Sequence, residues 1–262
     1  MRTFLYLCAV PVLLFCFSSV SLAGEYADLK FIGFSKDGKY MAFEEYGTYD
    51  GSGADFSNTY FIDTVKNTYA LPPVEITEGE AYTAAEKRIE AARNQKLRLT
   101  LANNLRKLKI VAGTTGELLV AHLLTDFTDK NSNLPSEEND EIVKFNNFLF
   151  VNSNDDGHYE LILKNIPAVG GDKNCSNDAS SMLELTLLNK TTSEVFAPQI
   201  LQKDSVLPAG RWCPYYYRVE RVYFYEDKIA VFLNYFNQGF EGISMRYLAV
   251  TAQLDQRPAD KY

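Results

Sequence analysis

The densest group of side chains able to do chemistry lies early in the chain. Glu44, Glu45 and Tyr46 are followed by Asp50 and Asp55, which bracket the glycine-rich run Gly51-Ser52-Gly53-Ala54. Carboxylates at such spacing can serve as acid and base in glycoside hydrolysis, or their oxygens can hold a hard cation. Gly51 and Gly53 would let backbone carbonyls turn inward. The competing reading is a solvated hairpin loop in an acidic protein. A second loop, carrying Glu241 between Phe240 and Gly242, sits near the end of the chain. Each loop follows a strand ending at a tyrosine, Tyr46 or Tyr235, and precedes a strand beginning near Tyr60 or Tyr247. If the two units are equivalent, their loops emerge at corresponding ends of neighbouring sheets. Glu44, Glu45, Tyr46, Asp50, Asp55 and Glu241 are therefore the candidate ligand-binding residues, on loops of a rigid scaffold suited to a cation or a polyol.

Other constellations are weaker. The chain has two histidines, His122 and His158, and four cysteines, which makes His-dependent metal sites and Ser-His-Asp catalysis hard to build. Gly113-Thr114-Thr115-Gly116 superficially suggests a phosphate loop but lacks its lysine. Asn152, Asn154, Asp156, Gly157 and Glu160 faintly echo a calcium loop, yet Leu163 stands where the bidentate glutamate belongs. Trp212 and Tyr215-Tyr216-Tyr217 could stack on sugar rings, although alternating aromatics in strands more often pack a core. No catalytic set, metal site or cofactor is predicted.

Composition bounds the class of protein. The 262 residues are 46% hydrophobic and 23% charged, a globular profile. With 26 Lys and Arg against 34 Asp and Glu, the net charge of −8 argues against nucleic acid as a partner. At the N-terminus, Met1-Arg2 gives a cationic start and residues 4–17 are almost wholly apolar. Ser21 and Ala23 then supply the small residues read by signal peptidase, which predicts a signal peptide over residues 1–23 and a single exported domain over 24–262. The apolar run is shorter than the ~20 residues of a spanning helix, and no later stretch qualifies, so no transmembrane segment is expected after signal removal. Cleavage takes Cys8 and Cys16 away and leaves Cys175 and Cys213, an even pair in an oxidising compartment and so a predicted disulfide. The predicted location is periplasmic or secreted.

The elements that must position these groups are mostly strands. Residues 28–68 read as consecutive short strands, with a turn at Asp37-Gly38, and a strand over 68–71 is predicted to stop at Pro72-Pro73. Thr77 and Glu80 have capping-box spacing, and residues 80–108 lack Pro and internal Gly, so one long helix follows the first meander. Ala85, Ile89, Ala92, Leu101, Leu105 and Leu108 form its apolar stripe, interrupted by Lys96. Lys87, Arg88, Arg93, Lys96, Arg98, Arg106, Lys107 and Lys109 make it basic: either a surface for an anionic membrane or partner, or a solvated outer face. Further strands are predicted over 117–124, 142–151, 159–164, 183–188, 194–196, 215–225, 228–236 and 245–254, separated by polar or glycine-containing turns. The fold class is thus mainly β: antiparallel meanders in a propeller-like or sandwich arrangement, with one long amphipathic helix inserted after the first meander.

The stretch Phe34-Ser35-Lys36-Asp37-Gly38-Lys39-Tyr40-Met41-Ala42-Phe43-Glu44-Glu45-Tyr46-Gly47, with Asp50-Gly51-Ser52-Gly53 and Tyr60-Phe61-Ile62-Asp63, resembles the bacterial "predicted secreted protein" family, domain of unknown function 2259. Leu123-Leu124-Thr125-Asp126, Cys213-Pro214-Tyr215 and Arg221-Val222-Tyr223 look like its later segments. The resemblance implies an exported protein and carries over no catalytic residues. The first block is also similar to the repeat of TolB-type propellers, but the long basic helix and the small number of blades depart from that pattern. Function is accordingly read as a non-enzymatic binding or interaction module, with an unknown protein or a saccharide of the cell envelope as ligand. The alternative is a carboxylate-dependent hydrolase acting on envelope polysaccharide. A buried carboxylate pair facing one cleft would favour the enzyme, and an open aromatic surface without one would favour binding.

Overall fold

The computed structural model describes residues 24–123, 140–146, 158–168, 180–190, 197–239 and 242–254. Its strands follow from short alternating apolar runs broken by Asp-, Asn- and Gly-rich turns. β1 (Asp28–Phe34) and β2 (Tyr40–Thr48) are joined by a turn in which Ser35 Oγ donates to Asp37 Oδ1 at 2.6 Å and accepts from the Tyr40 amide at 2.9 Å. Gly38 there adopts φ 66°, which a side chain would resist. β3 (Asp55–Asp63) and β4 (Thr68–Glu78) complete a four-stranded antiparallel meander in the order β1-β2-β3-β4.

β4 does not stop at Pro72-Pro73. It runs on to Glu78, with the prolines in the irregularity between the Phe61–Leu71 and Thr59–Val74 pairings. Prolines are tolerated because β4 is an edge strand, needing bonds on one side only. The extension also moves the helix start. Thr77 is held in β4 opposite Phe56, Gly79 turns the chain at φ 94°, and α1 (Ala84–Lys107) begins later. Its capping box is Thr83 with Glu86 rather than Thr77 with Glu80: the Glu86 amide donates to Thr83 Oγ1, and the Thr83 amide to Glu86 Oε2 at 2.7 Å. Only part of the predicted apolar stripe packs. Leu97, Leu101, Leu105 and Leu108 lie against Ala42, Phe61, Val74 and Ile76 of the first sheet, whereas Ile89 points to solvent. Beyond α1 the chain returns alongside β1, where the Val111 amide donates to the Phe34 carbonyl and the Phe34 amide to Thr114. Gly113-Thr114-Thr115-Gly116 therefore seals a sheet edge instead of cradling a phosphate.

Two further four-stranded sheets follow. β5 (Glu117–Ala121) joins β10 (Tyr216–Tyr225), β11 (Lys228–Gln238) and β12 (Ile243–Gln253) in the order β5-β10-β11-β12. β6 (Glu141–Asn146), β7 (His158–Pro167), β8 (Ser181–Asn189) and β9 (Gln199–Lys203) form the third, β6-β7-β8-β9. β9 is the partner of β8; the strand expected over 194–196 lies outside the described residues.

The sheets stack as layers, like adjacent blades or the leaves of a sandwich. Phe34, Met41 and Phe43 of the first sheet pack on Tyr223, Phe232, Phe236 and Tyr247 of the second. The opposite face of the second sheet, with Val222, Phe224, Val231, Leu233 and Val250, packs on Leu161, Leu163, Leu183 and Leu185 of the third. β11 is therefore apolar on both faces, which is why residues 228–236 read as a nearly unbroken hydrophobic run. Phe232 meets Phe31, Phe43 and Tyr223 edge-on at centroid separations of 5.2, 5.3 and 5.8 Å, a mutual geometry that fixes the stacking of the first two sheets. Helix α1 covers the outer face of the first sheet, giving the order helix, sheet, sheet, sheet.

Candidate functional site

The structure divides the predicted acidic group. Consecutive strand residues alternate faces, so Glu44 and Glu45 point oppositely. Glu44 accepts from Ser57 Oγ at 2.6 Å and pairs with exposed Lys30 on the surface. Glu45 is 3% exposed, inside the seam between the first two sheets. It accepts from the Tyr60 hydroxyl at 2.7 Å, Asn58 Nδ2 at 3.3 Å and the Tyr247 amide at 3.1 Å. Tyr46 is exposed beside the β2–β3 loop. Asp55 accepts from Thr48 Oγ1 across the loop neck, and the Asp50 amide donates to Glu25. Glu25 also pairs with Arg246 at the start of β12, whose guanidinium lies 4.1 Å from the Phe56 ring centroid. Burial pulls the Arg246 guanidinium down to about 10. The β2–β3 loop and the start of β12 are thus stitched together, while Phe240 and Glu241 lie outside the described residues. Among the described residues, no three His, Cys, Asp or Glu side chains are grouped closely enough to hold a metal ion.

Burial raises the Glu45 carboxyl above the ordinary carboxylate range, because desolvation outweighs the hydrogen bonds from Tyr247, Tyr60 and Asn58 that favour its charged form. A raised folded-state pKa contributes stability below the ordinary carboxylate pKa, and that contribution is lost as pH rises through the folded value. Glu45→Gln keeps an acceptor for Tyr60 or the Tyr247 amide and removes the buried charge. Relative to wild type, the variant should be more stable at neutral pH than in acid, because only the wild type then carries the buried charge. The gap should close towards pH 4, as measured by denaturation at a series of pH values. A gap that stays constant across that range would mean that Glu45 does not carry the penalty.

What sequence reading missed is a cleft of about 420 Å³ where the edge strands β4, β9 and β12 of the three sheets converge. Asn67, in the β3–β4 turn at φ 53°, joins them: its Oδ1 accepts from the Thr251 amide at 2.9 Å and its Nδ2 donates to Gln202 at 2.7 Å. One wall is a stack of rings running outward from the core. Phe43 and Tyr60 are 4.9 Å apart and nearly parallel, and Tyr60 and Tyr69 are 6.0 Å apart at 18°. Tyr69, at the rim, is 60% exposed. Tyr235 and Tyr247 line the cleft from the second sheet, and Arg211 closes the side towards the third. Desolvation, reinforced by Glu45, raises the phenols of Tyr60 and Tyr235, which stay neutral donors at any physiological pH.

Arg211 is held in a short 3₁₀ turn, Ala209–Arg211, by a bidentate pair with Asp204 at 2.5 and 3.2 Å. Asp204 also accepts from the Leu183 amide and Gln202 Nε2. The cation is thereby neutralised within the protein, and no carboxylate is found among the described residues lining the cleft. Its surface is aromatic and aliphatic, with hydroxyl and amide groups from Tyr69, Thr68, Asn67 and Gln202 and the paired guanidinium of Arg211.

Three packed antiparallel meanders, with a tyrosine-walled cleft where their edges meet, place this chain among layered β proteins. It belongs to the predicted secreted protein family DUF2259, whose family model matches residues 42–253. No curated protein and no solved structure matches the chain closely enough to count as a relative. Membership assigns it to the periplasm or the exterior of the cell. Among the described residues, no helix is long and apolar enough to cross a membrane.

Proposed function

We propose that the protein is a non-enzymatic binding module of the cell envelope whose cleft takes an uncharged saccharide. The observation that carries this reading is the Phe43-Tyr60-Tyr69 ring stack opening onto a cleft with no carboxylate among its described lining residues. Aromatic faces suit the apolar faces of sugar rings, and phenol and amide groups suit their hydroxyls. The volume is within the usual range for small-ligand sites. The hydrolase reading asks for two carboxyl groups flanking a bond, a set that the lining residues do not supply.

Calorimetric titration with neutral oligosaccharides of the envelope tests the reading. Tyr69→Ala should weaken binding up to about tenfold, the worth of one aromatic stack, while costing about 1 kcal/mol of stability through its lost stacking on Tyr60. Equal affinity in the variant would remove Tyr69 from the site, and no binding by wild type would remove the function.

The reading includes removal of residues 1–23 on export and pairing of Cys213 with Cys175. Residues 1–23 and Cys175 lie outside the described residues. In support of the pairing, Ser181, just beyond the segment that carries Cys175, donates its amide to the Pro214 carbonyl and its hydroxyl to Tyr215. Six residues of chain reach roughly 20 Å, so Cys175 can approach Cys213 from there.

A further inference from the structure

Helix α1 carries seven Lys and Arg against two Glu, in a chain of net charge −8. Its body contacts are narrow: Asn94 is its only buried residue, with Leu97, Leu101 and Leu105 packed beside it. At 3.6 residues per turn, the side opposite these four presents Arg88, Lys96, Arg106 and Lys107, interleaved with Ala85, Ile89, Ala92 and Leu99. None of the four cations has an ion-pair partner among the described residues, whereas Arg98, on the flank, is paired with Glu78 and Arg93 bonds the Thr77 carbonyl. Ile89 and Leu99 are 70% and 61% exposed. From Arg88 to Lys107 the stripe extends about 28 Å.

We infer that this outward face of α1 is a docking surface for an anionic lipid bilayer. Three features favour a bilayer over an acidic protein. The cations are spread along the whole helix rather than clustered, as a diffuse negative surface requires. Two large apolar side chains stand between them, positioned to enter the headgroup layer while the cations stay at the phosphates. The helix is also the outermost layer of the stack, so the first sheet, about 10 Å thick, separates it from the rest of the acidic body. The acidic groups of the second and third sheets thus lie on the far side of the first sheet, where distance and the surrounding salt weaken their repulsion of the bilayer. Adsorption through α1 would lay the first sheet along the membrane and leave the edges of all three sheets, and the cleft, to one side. The proposal is independent of what the cleft binds.

The test is co-sedimentation of the exported chain, residues 24–262, with phosphatidylcholine vesicles, and with vesicles of phosphatidylcholine and phosphatidylglycerol. At about 0.1 M salt, partitioning onto the anionic vesicles should exceed that onto neutral ones by on the order of several hundredfold, and it should collapse near 0.5 M. The variant Arg88→Gln/Lys96→Gln/Arg106→Gln/Lys107→Gln alters only exposed positions and should melt as wild type does while losing that preference. Equal binding to both vesicles, or an anionic preference that survives the four substitutions or high salt, overturns the proposal. So does salt-sensitive self-association of the chain without vesicle binding, which would assign α1 to a second copy instead.

Discussion

Replacing Arg211 with methionine is expected to cost the fold about 3–5 kcal/mol, because removal of one partner strands a buried charge. The Asp204 side chain is 1% exposed, and Arg211 satisfies both its oxygens. The guanidinium also donates to the Tyr217 hydroxyl and lies over that ring, where burial pushes the phenol up to about 12. These contacts attach the 3₁₀ turn to β8 through Asp204 and to β10 through Tyr217, and so hold one wall of the cleft. Denaturant titration of Arg211→Met should show a loss of that size. The double variant Arg211→Met/Asp204→Leu should recover much of it, since no charge is then left behind. A loss below about 1 kcal/mol in the single variant would mean that solvent reaches Asp204.

Reduction of the proposed Cys175–Cys213 bond should remove about 4 kcal/mol, the chain-entropy value for closing a loop of roughly 40 residues. The effect concentrates where the cleft is built, since Cys213 lies two residues beyond Arg211. The oxidised and reduced protein should differ clearly in melting temperature. Saccharide affinity should fall with reduction even below the melting range, as the Arg211 wall loosens. Ready labelling of both thiols in the folded, non-reduced protein would exclude the bond.

The meanders were legible in the sequence because their turns are local: Asp37-Gly38 and Asp227 mark hairpins that the strands then extend. The two ends of the chain meet in space, since the first and second sheets pack face to face. Phe34 stacks on Tyr225 at 5.0 Å beside one pair of turns, and Arg246 lies on Phe56 near the opposite ends of the strands. Less local features misled. Pro72-Pro73 signals a strand end only if the strand is central, and edge position is a property of the sheet. The Thr77–Glu80 spacing was as good a capping signal as Thr83–Glu86, and only the pairing of Thr77 with Phe56 excludes it.

The acids around Asp50 drew attention by density, yet the cleft is made of residues distant in sequence. Tyr60, Tyr69, Arg211, Tyr235 and Tyr247 come from two sheets and the 3₁₀ turn after β9, and no spacing rule connects them. One signal did exist, since the sequence sets Tyr60 and Tyr247 at similar places after a glycine-containing loop, and they lie in the middle of β3 and β12. Both strands turn those rings into the seam between the first two sheets, where Glu45 bonds the Tyr60 hydroxyl and the Tyr247 amide.

The tyrosine-walled cleft is the proposed seat of the ligand. Tyrosine-ring NMR of the ¹³C-labelled protein, titrated with neutral envelope oligosaccharides, tests it most directly. The ring signals of Tyr60, Tyr69 and Tyr235 are expected to shift together and saturate, while those of Tyr46 and Tyr49 beside the β2–β3 loop stay in place. Saturable shifts confined to Tyr46 and Tyr49, or no saturable shift of the cleft tyrosines with any oligosaccharide, would contradict it.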